Sequence, residues 1–388
     1  VTINFTSNSR PTIGVEMELH LIDAVTGELV SASADILAEM GAGHPGGEHP
    51  KAKHELFQST VEIITGVCQG PAEAAADLRG TLAELRTCAE RRGLTIMSAG
   101  THPFGLARDQ IVSPHQRYID LIDDLQWPAR RMLICGMHVH VGVKNGSRAI
   151  RIIGELLRHH PLFLALSSSS PYFESEDSGM ASARTKVFEG LPTAGLPPLL
   201  SDWDDFETFM STLLESGCIS SIREVWWDIR PHPDFGTVEF RMCDATPTVR
   251  ETIALAALAQ TLVEWTDRRI DEGSLPPPPR EWTIRENRWL ASRYGIDAEL
   301  IVEHPASGRP ERRPVRTLVT ELLDELRPVA ADLGNLDELA DLEILLDVGS
   351  GTQRQRQVVA AGGTLSDVVH HLAAELATDT ITGTPAPR

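Results

Sequence analysis

Between Thr12 and Ile22 the chain alternates without a break. Ile13, Val15, Met17, Leu19 and Leu21 are apolar, and Gly14, Glu16, Glu18 and His20 stand between them. A two-residue period of this length belongs to a β-strand with one face buried and one free. Residues i and i+2 of a strand share a face, so Glu16 and Glu18 stand side by side. Adjacent carboxylates repel unless a cation lies between them, and divalent ions take carboxylate oxygens readily. One such pair alone is better explained as the solvated face of an amphipathic strand. The construction recurs twice, however. In Ile134–Val143, His138, His140 and Gly142 alternate with Met137, Val139 and Val141; in Thr237–Cys243, Glu239 and Arg241 alternate with Val238, Phe240 and Met242. Three polar pairs on three strands point to one shared site.

A further strand over Glu55–Gly66 adds Glu62. Glu55 and Glu62 differ in parity, so Glu55 reaches the same site only from the entry loop or across a bulge. Carboxylates with one or two imidazoles on a sheet face make an open, oxygen-rich metal site. This composition suits Mg²⁺ or Mn²⁺ better than structural zinc, which prefers cysteine and closed four-coordination. Arg241 beside Glu239 fits a division of labour in which Glu239 holds the metal and Arg241 meets a phosphoryl oxygen. The chain has no GxxxxGK[ST] loop and no GxGxxG after a strand, so a nucleotide would bind by other means. Five cysteines without CxxC spacing match a reducing cytoplasm, and no apolar run reaches membrane-spanning length.

The 388 residues carry a formal charge of −20, which argues against a nucleic-acid or anionic-membrane partner. A catalytic α+β sheet domain is expected over residues 1–274 and a helical portion packed on it over 275–388, with the Pro276–Pro279 run between them and a flexible tail after about 378. Helices are expected near Ala34–Met40, from Pro71 to Arg92, from a Ser147 cap to about His160, and over Asp202–Ser216, Thr248–Arg269, Thr283–Tyr294, Val315–Leu326 and Leu339–Leu346. Ser167–Leu200, rich in Ser, Gly and Pro, reads as a substrate-facing lid carrying Arg184, Lys186 and Glu189.

Ile13–Leu19, Gln58–Ile63, Gly136–Gly142 and Gly236–Arg241 resemble, in that order, motifs of the bacterial carboxylate–amine ligases related to glutamate–cysteine ligase. Ser182–Pro198, Glu286–Gly295 and Gln353–Gln357 extend the resemblance over most of the chain. It implies a glutamine-synthetase-like α+β fold: a curved, mainly antiparallel sheet forming a funnel, with helices on its outer face. It implies metal ligands at Glu16, Glu18, Glu55, Glu62, His138 and Glu239, and a phosphate contact at Arg241. His140 falls where related ligases place a small hydroxyl residue near the nucleotide. Arg184 and Arg230 match positions near the acidic substrate; Asn287, Arg293, Arg354 and Arg356 match the pattern without an assigned role. The activity implied is ATP- and Mg²⁺- (or Mn²⁺-) dependent joining of a glutamate-like acid to an amine through an acyl phosphate. Small-molecule acid and amine are then the partners, and a homo-oligomer stays open. The alternatives are a metal-dependent amide or phosphoester hydrolase on the same carboxylates and a non-catalytic nucleotide-binding homologue.

Overall fold

The strand expected at Thr12–Ile22 forms as β1 (Ile13–Asp23), and the main sheet is built outward from it. A computed structural model describes residues 2–304 and 307–381. The remaining strands are β2 (Ala52–His54), β3 (Thr60–Ile64), β4 (Leu94–Met97), β5 (Met137–Gly142), β6 (Tyr172–Phe173), β7 (Glu176–Asp177), β8 (Ile229–His232), β9 (Thr237–Phe240), β10 (Glu299–Glu303) and β11 (Pro310–Pro314). Seven of them make the main sheet in the order β2-β3-β1-β5-β9-β8, with β4 paired to the far end of β1. Every pairing in it is antiparallel. The stretch expected as one strand over Glu55–Gly66 is instead the second half of a β2–β3 hairpin.

The helices are α1 (Ser33–Gly41), α2 (Pro71–Glu90), α3 (Gln116–Leu125), α4 (Trp127–Arg130), α5 (Gly146–Ser167), α6 (Ala183–Phe188), α7 (Trp203–Glu215), α8 (Val249–Glu272), α9 (Glu281–Tyr294), α10 (Val315–Leu333), α11 (Leu336–Val348), α12 (Gly351–Ala360) and α13 (Leu365–Thr378). Val15, Met17, Leu19, Val61, Ile63, Val139, Val141, Val238 and Phe240 turn to one side of the sheet and join a continuous core with apolar residues of α2, α5 and α8. The polar residues of the same strands are thereby forced onto the opposite face. This is the α+β organisation that the family resemblance implied.

Local differences have local causes. Helix α5 is capped by Asn145, whose side chain accepts from the Arg148 N–H, rather than by Ser147. It runs through Pro161 to Ser167 because Leu162, Phe163, Leu164 and Leu166 are all buried. Helices α3 and α4 and the β10–β11 hairpin were not expected.

The four residues without a role act as ties. Arg354 is fully buried and joins α12 to Glu251 of α8 and Glu375 of α13, each at 2.8 Å. Asn287 exchanges two hydrogen bonds with the Ile301 main chain, of 2.8 and 2.7 Å, anchoring β10 to α9. Arg293 donates to the Gly179 carbonyl. Arg356 reaches Asp177 at 2.8 Å.

Asp379 accepts from the Arg250 N–H and the Arg79 side chain, both at 2.8 Å; residues 382–388, where most of the flexible tail was expected, lie outside the described residues. All five cysteines are free, and among the described residues no helix is long and apolar enough to cross a membrane.

Candidate active site

Strand register assembles the site. Glu18 lies opposite Glu62, Glu16 opposite His138, His140 opposite Glu239, and Glu239 opposite Arg230. Residues far apart in the chain thus share one face, as the alternation required. Glu55 is the residue that follows β2, off the strand, where its parity placed it. Its main-chain carbonyl accepts from Ser113 Oγ, and its carboxylate accepts from the Leu56 N–H at 3.2 Å.

Two groups of ligand atoms converge on this face. Glu16, Glu62 and His138 each bring one atom to within 4.8 Å of the others, and so do Glu18, Glu55 and Glu62. Glu62 belongs to both. Burial pushes the Glu55 carboxyl up, and the Glu18 charge adds to it, to about 8. Burial likewise raises Glu62 well above the usual range, with Glu16, Glu55 and Glu18 adding to the effect. Burial would raise Glu16 too, but hydrogen bonds and charge from His138 and His140 hold it far below. His138 Nδ1 lies 2.7 Å from Glu16 Oε2, and His140 Nε2 lies 3.5 Å from Glu16 Oε1. Carboxylates gathered without enough cations, with one imidazole among them, fit a hard divalent ion.

The other end of the face is arranged in the opposite sense. Glu239 is held on both oxygens, by Arg230 at 2.6 and 3.3 Å and by Arg241 Nη1. Burial would raise its carboxyl, but the Arg230 and Arg241 charges hold it well below the usual range. Glu239, expected as a further metal ligand, therefore lies outside both ligand groups, with its lone pairs engaged by guanidiniums. Arg230, expected near the acidic substrate, also donates from Nη1 to the carbonyls of Ile222 and Val225 at 3.0 and 2.7 Å. Its fork is thus largely committed to protein acceptors. His140 Nδ1 sits 2.9 Å from Thr237 Oγ1. Burial alone would lower this imidazole; Glu239 and Glu16 more than reverse it.

Arg184 stands apart. It is 3% exposed, no carboxylate pairs with it among the described residues, and its Nε finds no partner. Among the described residues its guanidinium hydrogen-bonds only to the carbonyls of Met242 and Arg241, at 3.3 and 3.4 Å. The guanidinium packs on Gly136, where a Cβ would come within 2.2 Å of Nη2. The Gly136 N–H in turn donates to Glu18 Oε2 at 2.5 Å. Gly136 is a site residue that sequence reading left without a role; a glycine just ahead of an alternating strand was its signal.

Asp244 was missed as well. It accepts from Ser169 N, Ser170 Oγ and Ser182 Oγ at 2.9, 2.6 and 2.7 Å, all buried. These bonds tie both ends of the Ser167–Ser182 part of the expected lid to the sheet and set the start of α6, from which Arg184 projects.

The sheet and its helices are arranged as in solved ligases of low sequence identity. Glutamate–cysteine ligase from Francisella tularensis, solved in complex with AMP, superposes with a TM-score of 0.69 at 12% identity, over 96% of this chain and 90% of that one. A bifunctional glutathione synthetase from Pasteurella multocida gives 0.66 at 12% identity, over 95% of this chain and 53% of that one. The fold is theirs.

Residues 12–371 match Glutamate-cysteine ligase family 2 (GCS2), and the chain belongs to that family. It is an enzyme, a ligase of the glutamate–cysteine ligase-like class. A Frankia casuarinae protein with the provisional name glutamate–cysteine ligase 2-1 is 49% identical over 97% of this chain and 98% of its own. A Thermobifida fusca protein provisionally named glutamate–cysteine ligase 2 is 46% identical over 97% of this chain and 93% of its own.

Proposed function

We propose that this enzyme is an ATP-dependent carboxylate–amine ligase that activates a glutamate-like acid as an acyl phosphate and passes it to an amine. The observation that carries the reading is the sharing of Glu62 by two carboxylate-rich ligand groups beside Arg241, all on one sheet face. AMP bound to the Francisella relative of the same fold supports nucleotide use.

Glu16, Glu62 and His138 would hold one Mg²⁺ or Mn²⁺, and Glu18, Glu55 and Glu62 a second. When bound, such ions offset phosphate charge during phosphoryl transfer. The protein's own groups do the rest. Arg241, fixed by Glu239, presents a positive charge where a phosphoryl oxygen gathers negative charge. Arg230 keeps Glu239 in place from the other side. Arg184 is a buried cation with no ion-pair partner among the described residues, and a substrate carboxylate supplies one through a bidentate grip. The acid attacks the γ-phosphorus and ADP leaves; the amine then attacks the acyl carbon and phosphate leaves.

A screen for ADP release over paired acids and amines with Mg²⁺ tests the reading. Turnover should require both substrates and stop with excess chelator. Arg184→Ala should raise the KM for the acid tenfold or more, on the order expected for a lost charged hydrogen-bond pair, while the KM for ATP stays within about twofold. ATP-independent amide hydrolysis by the purified enzyme would refute the ligase assignment.

A further inference from the structure

The β8–β9 hairpin carries an aromatic stack that neither the ligand groups nor Arg184 explains. Phe235, at its tip, is 58% exposed. One face of its ring lies parallel to His232, with centroids 4.1 Å apart and 9° between planes. Its other neighbour is His140, 5.5 Å away and steeply inclined. His232 follows Arg230 at i+2 on β8, so the stack rises from the same face as Glu239. One imidazole, that of His140, separates the phenyl ring from the Glu16 carboxylate.

The tip is held with unusual care for an exposed turn. Thr6 N donates to the Pro233 carbonyl at 2.9 Å and Thr6 Oγ1 to the Asp234 carbonyl at 2.9 Å. Asn8 Nδ2 donates to the Phe235 and Gly236 carbonyls at 2.9 and 2.8 Å. Gly236 has φ +67°, and a Cβ there would lie 2.0 Å from the Thr6 carbonyl oxygen, so no other residue fits this turn without displacing the 6–8 segment. The result is a preorganised phenyl ring, backed by a stacked imidazole, with its remaining face turned to solvent. Orienting an apolar ring toward water is unfavourable by itself, and a fixed ring with one open face is the geometry that flat π-systems bind by stacking.

We propose that the open face of Phe235 is the platform for the purine base of the nucleotide, with the polyphosphate running from it past His140 toward the Glu16 and Glu62 groups. This deepens the ligase reading and rests on it. Phe235 acts here as a binding residue for the base, separate from the residues that meet the phosphates.

The test compares binding of Mg·ATP, Mg·ADP and base-free Mg·tripolyphosphate to the full chain, for the wild type, Phe235→Ala and Phe235→Trp. Base–aromatic stacking contributes about 1–3 kcal/mol, so Phe235→Ala should weaken ATP and ADP alike by roughly five- to a hundredfold. Tripolyphosphate affinity should be unchanged, and Phe235→Trp should restore ATP binding. An Ala variant that binds ATP as tightly as wild type overturns the platform while leaving the ligase reading intact. Equal loss for ATP and tripolyphosphate overturns it too, because the ring would then act through the phosphate site. A wild type that binds neither ATP nor tripolyphosphate removes both readings together.

Discussion

The two ends of the site face use the same residue type in opposite ways. At one end Glu18, Glu55 and Glu62 stand together with too few cations, and burial with the neighbouring carboxylates raises Glu55 and Glu62 above the usual carboxyl range. At the other end Glu239 is matched by two guanidiniums and stays ionised, although it is 2% exposed. Glu55 and Glu62 are half-buried whereas Glu239 is buried, yet it is the more buried carboxyl that is held low, so burial does not set the difference; neighbouring charge does. The first end is left open to a cation from outside. The second is complete, and what it presents outward is the rest of Arg241. On the proposed reading, glutamate at the open end would hold a ligand, and at the closed end it would position an arginine.

Glu→Gln substitutions break this comparison most directly, because they should act with opposite signs on stability. Glu62→Gln removes a ligand common to both groups, and turnover should fall by about 10³-fold or more with loss of the Mg²⁺ response, a cost of several kcal/mol in transition-state stabilisation. The same change spares the folded, metal-free protein the cost of protonating this carboxyl, so it should gain about 0.5–2 kcal/mol in denaturant melts at neutral pH. Activity within a few-fold of wild type would remove Glu62 from the site. Arg241→Lys comes next. It keeps the charge but loses the fork, and kcat should drop roughly 10²–10³-fold while ATP affinity shifts only a few-fold. A change confined to ATP affinity would make Arg241 a ground-state binder. Glu239→Gln strands two buried guanidiniums and should cost about 3–5 kcal/mol of stability. Unchanged denaturant midpoints in that variant would mean the closed end is not the tight ion-pair unit described above.

The smallest effect is in protons. Burial, then the Glu18 charge, lifts Glu55 to about 8, and burial, then the Glu16 charge, lifts Glu62 as well. Near neutral pH the folded, metal-free protein therefore carries protons that unfolded carboxyls have already released. The unfolded state binds fewer protons over this range, so this contribution to stability is present below about pH 4.5 and declines as pH rises through about 8. A divalent ion must displace the same protons. Calorimetry at pH 7 in buffers of different ionisation enthalpy should register about one to two protons released as Mg²⁺ binds, with affinity rising from about pH 6 to 9. Proton-neutral binding would show that the open end is already ionised.

The period of two told which residues share a face, and this is why β1, β5 and β9 and the off-strand place of Glu55 were legible. It said nothing about who pairs across strands. The register that sets Arg230 opposite Glu239 was therefore not legible. Helix α5 was expected to end near His160; burial of Leu162–Leu166 carries it on through Pro161 to Ser167. Helix α3 packs on a small side cluster around Leu56 and Phe57 and has no fully buried residue, so it lies apart from the main core that the alternating strands define. Asp244 escaped notice because its three partners sit 62 to 75 positions away, a relation no local window holds.

Having one carboxylate in two ligand groups makes their occupancies interdependent. Once a first ion draws on Glu62, the group left for a second is changed in both charge and geometry, and by reciprocity the second alters the hold on the first by the same factor. The enzyme would then meet its ions as a linked pair, with titration curves that depart from two independent isotherms. A nucleotide that brings its own ion would set the sign of that cooperativity, so metal concentration would tune nucleotide affinity through the single side chain of Glu62.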